Sequence, residues 1–179
     1  ENEKLLFFMA ESAGPCRLGQ YQNAFKQLIT EKSIRNVGIY TLSDEDSYGG
    51  LKNNFVKRAY LGIVLGDVFQ NMRLALQVLA EDKENACRTL DAEWKKIVLL
   101  LDHAPVRILY EQMDEAVKAL RRIKKKTALS DAPKVVLTGE IFVRNDDFSK
   151  RELIDRLIQN NIVVKVAPVA EYVLYSKYL

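Results

Sequence analysis

The chain has 179 residues, 48% hydrophobic and 28% charged, with a net charge of +3, the make-up of one soluble globular domain able to bury a core without crosslinks. Two cysteines and one histidine exclude a self-contained zinc site, a four-thiolate iron–sulfur site and a disulfide scaffold, so a reducing cytoplasm is expected. The small net charge gives no reason to expect nucleic acid, and no apolar run approaches the roughly 18 residues of a membrane helix.

Leu5-Leu6-Phe7-Phe8-Met9-Ala10 is a continuous apolar run, which predicts a strand buried on both faces. Residues 11–15 form a turn with Gly14 and Pro15 as breakers. A helix is predicted over 17–32, with Leu18, Tyr21, Phe25, Leu28 and Ile29 on one face. Residues 37–42 read as the second strand and 43–50 as a polar loop. No strand signal occurs from 51 to 126, where three helices are predicted. The first covers 51–80, with a bend expected at Gly62 or Gly66. The second covers 83–101, with Cys87, Leu90, Trp94, Ile97, Val98 and Leu101 as its apolar stripe. The third covers 106–126, with Leu109, Met113, Val117, Leu120 and Ile123 on one face and Pro105 at its first turn. This block is longer than a simple crossover and reads as an inserted lid or packing arm.

The 127–133 stretch is the one linker candidate. Residues 134–138 form the third strand, continued irregularly by Ile141-Phe142-Val143. A short helix over 148–159, a fourth strand over 162–167 stopped by Pro168, and a terminal helix over 171–179 complete the order. Strands alternating with helices predict an α/β fold, a small open parallel sheet of about four strands joined by right-handed crossovers. The expected strand order is 2-1-3-4, within a single domain spanning 1–179. The chain begins at Glu1 close to a strand, and residues 172–179 remain apolar and aromatic; a piece of a longer protein is expected.

Open parallel sheets place sites beyond the carboxyl ends of strands where the order reverses. Here that expectation pairs the loop holding Cys16 and Arg17 with the one holding Glu140 and Arg144. Cys16 falls at a helix N-terminus beside Arg17, where a thiolate is favoured. It reads as a metal ligand, a nucleophile or a redox thiol, or as a small residue buried in a strand–helix turn. Cys87 reads as core. Gly14-x-Cys16-x-x-Gly19 misses the middle glycine of a dinucleotide fingerprint, although Asp44 lies where a ribose-binding acid would sit. A phosphatase loop fails because Gln22 stands in the arginine position. His103 precedes a proline turn and reads as a surface residue. Arg121, Arg122 and Lys124-Lys125-Lys126 read as cations favourably placed at a helix C-terminus, with an acidic partner or coenzyme A phosphates as the alternative.

Gly14-Pro15-Cys16-Arg17-Leu18-Gly19-Gln20-Tyr21 resembles the Gly-Pro-Cys-Arg-Phe-Gly-Gln-Tyr segment of the activase-related proteins of 2-hydroxyacyl-CoA dehydratases. These are large proteins related to the activators of 2-hydroxyglutaryl-CoA dehydratase and benzoyl-CoA reductase. Leu137-Thr138-Gly139-Glu140-Ile141-Phe142-Val143-Arg144-Asn145-Asp146 with Phe148-Ser149 agrees, as do Ala167-Pro168-Val169 with Glu171 and Tyr175, and Gly66-Asp67-Val68. The chain departs at Leu18, at Tyr172 where tryptophan is typical, and at Arg73-Leu74-Ala75-Leu76 where the pattern runs Arg-Pro-Tyr-Glu.

The resemblance implies a dehydratase-subunit-like α/β domain in a system where an ATP-dependent activator passes a low-potential electron to an iron–sulfur enzyme. It implies Cys16 as one ligand of a [4Fe–4S] cluster, with Arg17, Glu140 and Arg144 lining the same crevice. A cluster needs about three or four thiolates, so the others would come from elsewhere in the parent protein, as would the ATP site. The implied partners are the parent's other domains and an acyl-CoA dehydratase or reductase. In isolation the chain is expected to bind no complete cluster and to hydrolyse no ATP. Two other readings stay open: a coenzyme A or nucleotide binding module, and a non-catalytic docking domain.

Overall fold

A computed structural model of the chain describes residues 3–10, 18–42 and 53–176. The chain forms two compact units, Glu1–Val56 and Lys57–Leu179. It is a mixed α/β protein with parallel strand pairs and a long helical region.

In the first unit, β1 (Leu5–Ala10) and β2 (Val37–Leu42) pair in parallel, in register from Leu5↔Val37 to Ala10↔Leu42. Helix α1 (Leu18–Glu31) makes the crossover. It stops at Ser33, whose φ of 50° turns the chain left-handed, and the Ile34 N–H closes back on the Ile29 carbonyl. Phe7 stacks on Phe25 of α1 at 6.4 Å. A Cβ at Gly38 would lie 3.3 Å from Leu6 Cδ1, a tight contact that the leucine side chain would have to ease. The expectation that β1 is buried on both faces is not met: Leu6 and Phe8 are 64% and 63% exposed. Alternation sends them to the side opposite Phe7, so α1 covers one face of the ribbon only.

The second unit is built on α2 (Asn53–Leu79) from Lys57 onward, α3 (Lys83–Leu101) and α4 (Val106–Arg121). Then come β3 (Lys134–Leu137), α5 (Ile141–Asn145), α6 (Asp147–Gln159), β4 (Val163–Val166) and α7 (Val169–Ser176). Strands β3 and β4 pair in parallel from Lys134↔Val163 to Leu137↔Val166. Both observed pairings are adjacencies of the expected order 2-1-3-4. The β1-β3 pairing that order also requires is not among those of the described residues.

Helix α2 carries apolar residues on more than one face because it serves two cores. Leu65, Phe69, Leu76 and Ala80 pack with Ala86, Leu90 and Ile97 of α3 and Leu109 and Ala116 of α4. Its other side puts Leu74 against Ile154, Val164 and Val166, and Val78 against Ala132 and Val163. The helical block is therefore bound to the β3-β4 layer along α2, which changes the expected picture of an arm lying over the fold. Ala132, inside the stretch expected to be a linker, is buried in the same core.

Polar groups hold the helices in place. Arg58 donates from both terminal nitrogens to the Leu101 and Ala104 carbonyls at 2.8 Å, where the C-terminal end of α3 leaves carbonyls unpaired. Buried Glu93 accepts from Lys96 at 2.7 Å and from Gln112 of α4 at 3.0 Å. Helix α2 runs through Gly62 and Gly66 as one element. Helix α4 ends at Arg121, short of the expected 126. The N–H groups of Arg122 and Ile123 tighten onto carbonyls one turn back, and the chain then pairs with Ala80 through Lys125.

Candidate functional site

The segment after β3 departs most from expectation. Ile141-Phe142-Val143 does not continue the strand and forms α5 instead. Gly139 adopts a φ of +132°, a region costly for side-chain-bearing residues. Glu140 then caps α5, its carboxylate accepting the Val143 N–H at 2.9 Å. Asp146 ends α5 in extended backbone and caps α6, accepting from the Ser149 N–H at 2.8 Å and from its hydroxyl at 2.6 Å. Two successive caps within seven residues convert a strand-like composition into two helix starts.

Arg144 ties this turn to the end of the neighbouring strand. Its guanidinium donates to the Gly139 carbonyl and, across the pair, to the Pro168 carbonyl, each at 3.2 Å. Its Nε is buried with no hydrogen-bond partner among the described residues. Lys150, 7% exposed, donates to the Asn145 carbonyl at 3.2 Å and pairs with Asp147 at 3.1 Å.

Helix α2 supplies the remaining fastening. Asp67 accepts from the Val169 and Ala170 N–H groups at 3.0 and 2.8 Å, capping α7. One turn along, Asn71 accepts from the Val166 N–H at 2.8 Å and donates to the Val166 carbonyl at 3.2 Å. Its amide closes the outer edge of β4 as a neighbouring strand would. Asp67 was marked in the sequence through its resemblance motif alone, and Asn71 not at all. The available signal was a polar pair at i, i+4 on a helix otherwise apolar at those positions.

Of the expected site residues, Glu140 and Arg144 are brought together at the carboxyl end of the β3-β4 pair. Cys16 and Arg17 lie outside the described residues, as does Asp44. The Val143 N–H, then that of Phe142, holds the Glu140 carboxyl below the usual carboxylate range, with Arg144 acting in the same direction. It is thus an ionised acceptor at neutral pH, unsuited to donating a proton. Asp146 is lowered likewise, first by the Ser149 hydroxyl and then by its N–H.

Both groups are more acidic folded than unfolded, so each stabilises the fold above its unfolded pKa. That contribution is lost as pH falls through the folded value. Lowering the pH from 7 to below about 4 is expected to weaken the caps of α5 and α6 first. Amide exchange at Val143 and Ser149 should then rise before that at Leu90. Equal protection at all three down to global unfolding would refute this.

Among the described residues, no group of three or more His, Cys, Asp or Glu side chains is placed to hold a metal ion. Cys87, expected in the core, is half-buried and walls a cleft with Gln77, Lys83, Glu84, Asp155 and Gln159. It stands at the start of the stripe of α3, in the second turn of the helix. His103 is exposed, as expected.

No family model, no curated protein and no solved structure matches the chain. What the described residues define is the fold class: an α/β protein with a fastened carboxyl-end turn. No helix among them is long and apolar enough to cross a membrane.

Proposed function

We propose that the chain is a cytoplasmic domain of an activase-related activator protein serving 2-hydroxyacyl-CoA dehydratase or benzoyl-CoA reductase type systems. It takes part there in iron–sulfur-linked electron transfer. Cys16 contributes one thiolate to a [4Fe–4S] cluster whose remaining ligands come from other domains of the parent protein. Arg17, Glu140 and Arg144 act on the charge and shape of the crevice. ATP is handled by another domain.

One observation carries this reading. The motif segment from Leu137 to Ser149 is a built turn at the carboxyl end of a parallel strand pair, the usual location of sites in such sheets. Its motif residues Gly139, Glu140, Arg144 and Asp146 each have a defined part in it. A fixed cation such as Arg144 favours binding and reduction of a negatively charged centre nearby.

Anaerobic reconstitution of the full-length parent should give cluster absorbance, with iron content clearly reduced by Cys16→Ser. Unchanged iron in that variant would remove the ligand role.

The docking-domain reading has its own support. Leu99, Val106 and Tyr110 on the α3–α4 hairpin are 70%, 48% and 56% exposed, leaving apolar surface available to another domain. Pull-down with the parent's neighbouring domains, with and without Leu99→Asp and Tyr110→Asp, separates it from the cluster role.

A further inference from the structure

The cations between Lys118 and Lys126 are left unexplained by both readings above. Lys118, Arg121, Arg122, Lys124, Lys125 and Lys126 carry six positive charges with no acid among them, against +3 for the whole chain. The rest of the molecule therefore sums to −3. A helix dipole accounts for Arg121 and Arg122, which end α4. It does not account for Lys124, Lys125 and Lys126, which lie beyond the helix.

Lys125 forms a single antiparallel bridge to Ala80, just past α2, with Lys124 and Lys126 on either side. The Glu81 N–H donates to the Lys124 carbonyl at 3.1 Å, and the Lys126 N–H donates to the Leu79 carbonyl at 2.9 Å. This antiparallel bridge between Ala80 and Lys125 turns the N–H and C=O of Lys125 to the opposite side. There they have no backbone partner among the described residues. The result is a short free edge with a cation on every residue. Lys118 is paired with Glu115, and Lys126 donates to Asn161 at 2.9 Å. Arg122, Lys124 and Lys125 are exposed and make no ion pair among the described residues. Holding like charges together costs repulsion that an anionic partner relieves.

We propose that this edge binds an acidic, extended segment of a partner protein, its carboxylates meeting Arg122, Lys124 and Lys125. The free backbone groups of Lys125 suit a peptide, which can add to an open edge by main-chain hydrogen bonds. A single-stranded nucleic acid fits less well. Residues 79–89 and 118–134 contain no Phe, Tyr or Trp on which a base would stack. The proposal does not depend on Cys16 or on any cluster.

The test uses the full 179-residue chain and a fluorescein-labelled peptide of alternating Glu and Ser, read by anisotropy at low salt. Binding is expected, weakening as ionic strength rises. The triple variant Arg122→Gln, Lys124→Gln, Lys125→Gln should lose about tenfold in affinity, the sum of a few exposed ion pairs. A control triple, Lys57→Gln, Lys95→Gln, Lys165→Gln, removes the same charge elsewhere on the surface and should stay within about twofold, as expected for sites outside the contact. Circular dichroism must show both variants folded. No binding at low salt, or equal loss in the two triples, overturns the proposal. So does tighter binding of a single-stranded oligonucleotide of equal charge.

Discussion

Replacing Asp67 by alanine is expected to cost about 3 kcal/mol of stability. The carboxylate accepts two N–H groups of α7, and hydrogen bonds to charged groups contribute more than neutral ones. Asp67 is buried, at 9% exposure, so water cannot readily replace it. Its loss leaves the Val169 and Ala170 N–H groups without their acceptor at the end of a helix. Asp67→Asn keeps one acceptor oxygen and should cost about half as much. Urea unfolding gives the free energies, and amide exchange locates them. Protection should fall at Val169 and Ala170 well beyond the fall in global stability. A loss under about 1 kcal/mol, the range of an exposed polar change, would show that α7 is held by its apolar contacts alone.

Ile97→Ala should cost about 3–4 kcal/mol, the usual range for deleting a large aliphatic side chain from a full core. Ile97 is fully buried, in the cluster that joins α2, α3 and α4. Its neighbour Val98 is 44% exposed, so Val98→Ala should stay within about 0.5 kcal/mol. The contrast matters because both residues belong to the apolar stripe read from the sequence. Equal effects at the two positions would mean that Val98 has cover in solution that the described residues do not provide.

The helices were legible because their signals are local. The 3.6-residue stripes of α3 and α4 placed both starts correctly, with Asp82 and Pro105 preceding them. The end of α4 was not legible, because Leu120 and Ile123 keep the helical spacing while Arg122 already closes the last turn. Ile141-Phe142-Val143 has the composition of a strand, and propensity is a weak guide once caps intervene. The deciding acceptors, Glu140 and Asp146, bond to N–H groups three residues ahead. An apolar run is also silent about cover, so β1 looked buried on both sides although Leu6 and Phe8 are largely exposed. For the site, resemblance drew attention to Glu140 and Arg144, yet not to their partners. The bonds from Arg144 to the Pro168 carbonyl and from the Val169 N–H to Asp67 span long sequence separations, and no local pattern encodes them.

The two-sided burial of α2 has a consequence for how such a protein can diverge. A segment inserted as independent cargo is free to be lengthened, exchanged or lost, since its host keeps its own core. Here Leu74 and Val78 belong to the layer of β3 and β4, while Leu65, Phe69 and Leu76 belong to the helices. A change of register or tilt in α2 that suits one side displaces the other by the same amount. Drift in the α3–α4 hairpin is therefore constrained by the strands, and Asp67 and Asn71 transmit that constraint to the carboxyl-end turn. Recombination that swapped the helical block alone would also remove the wall on which β4 rests.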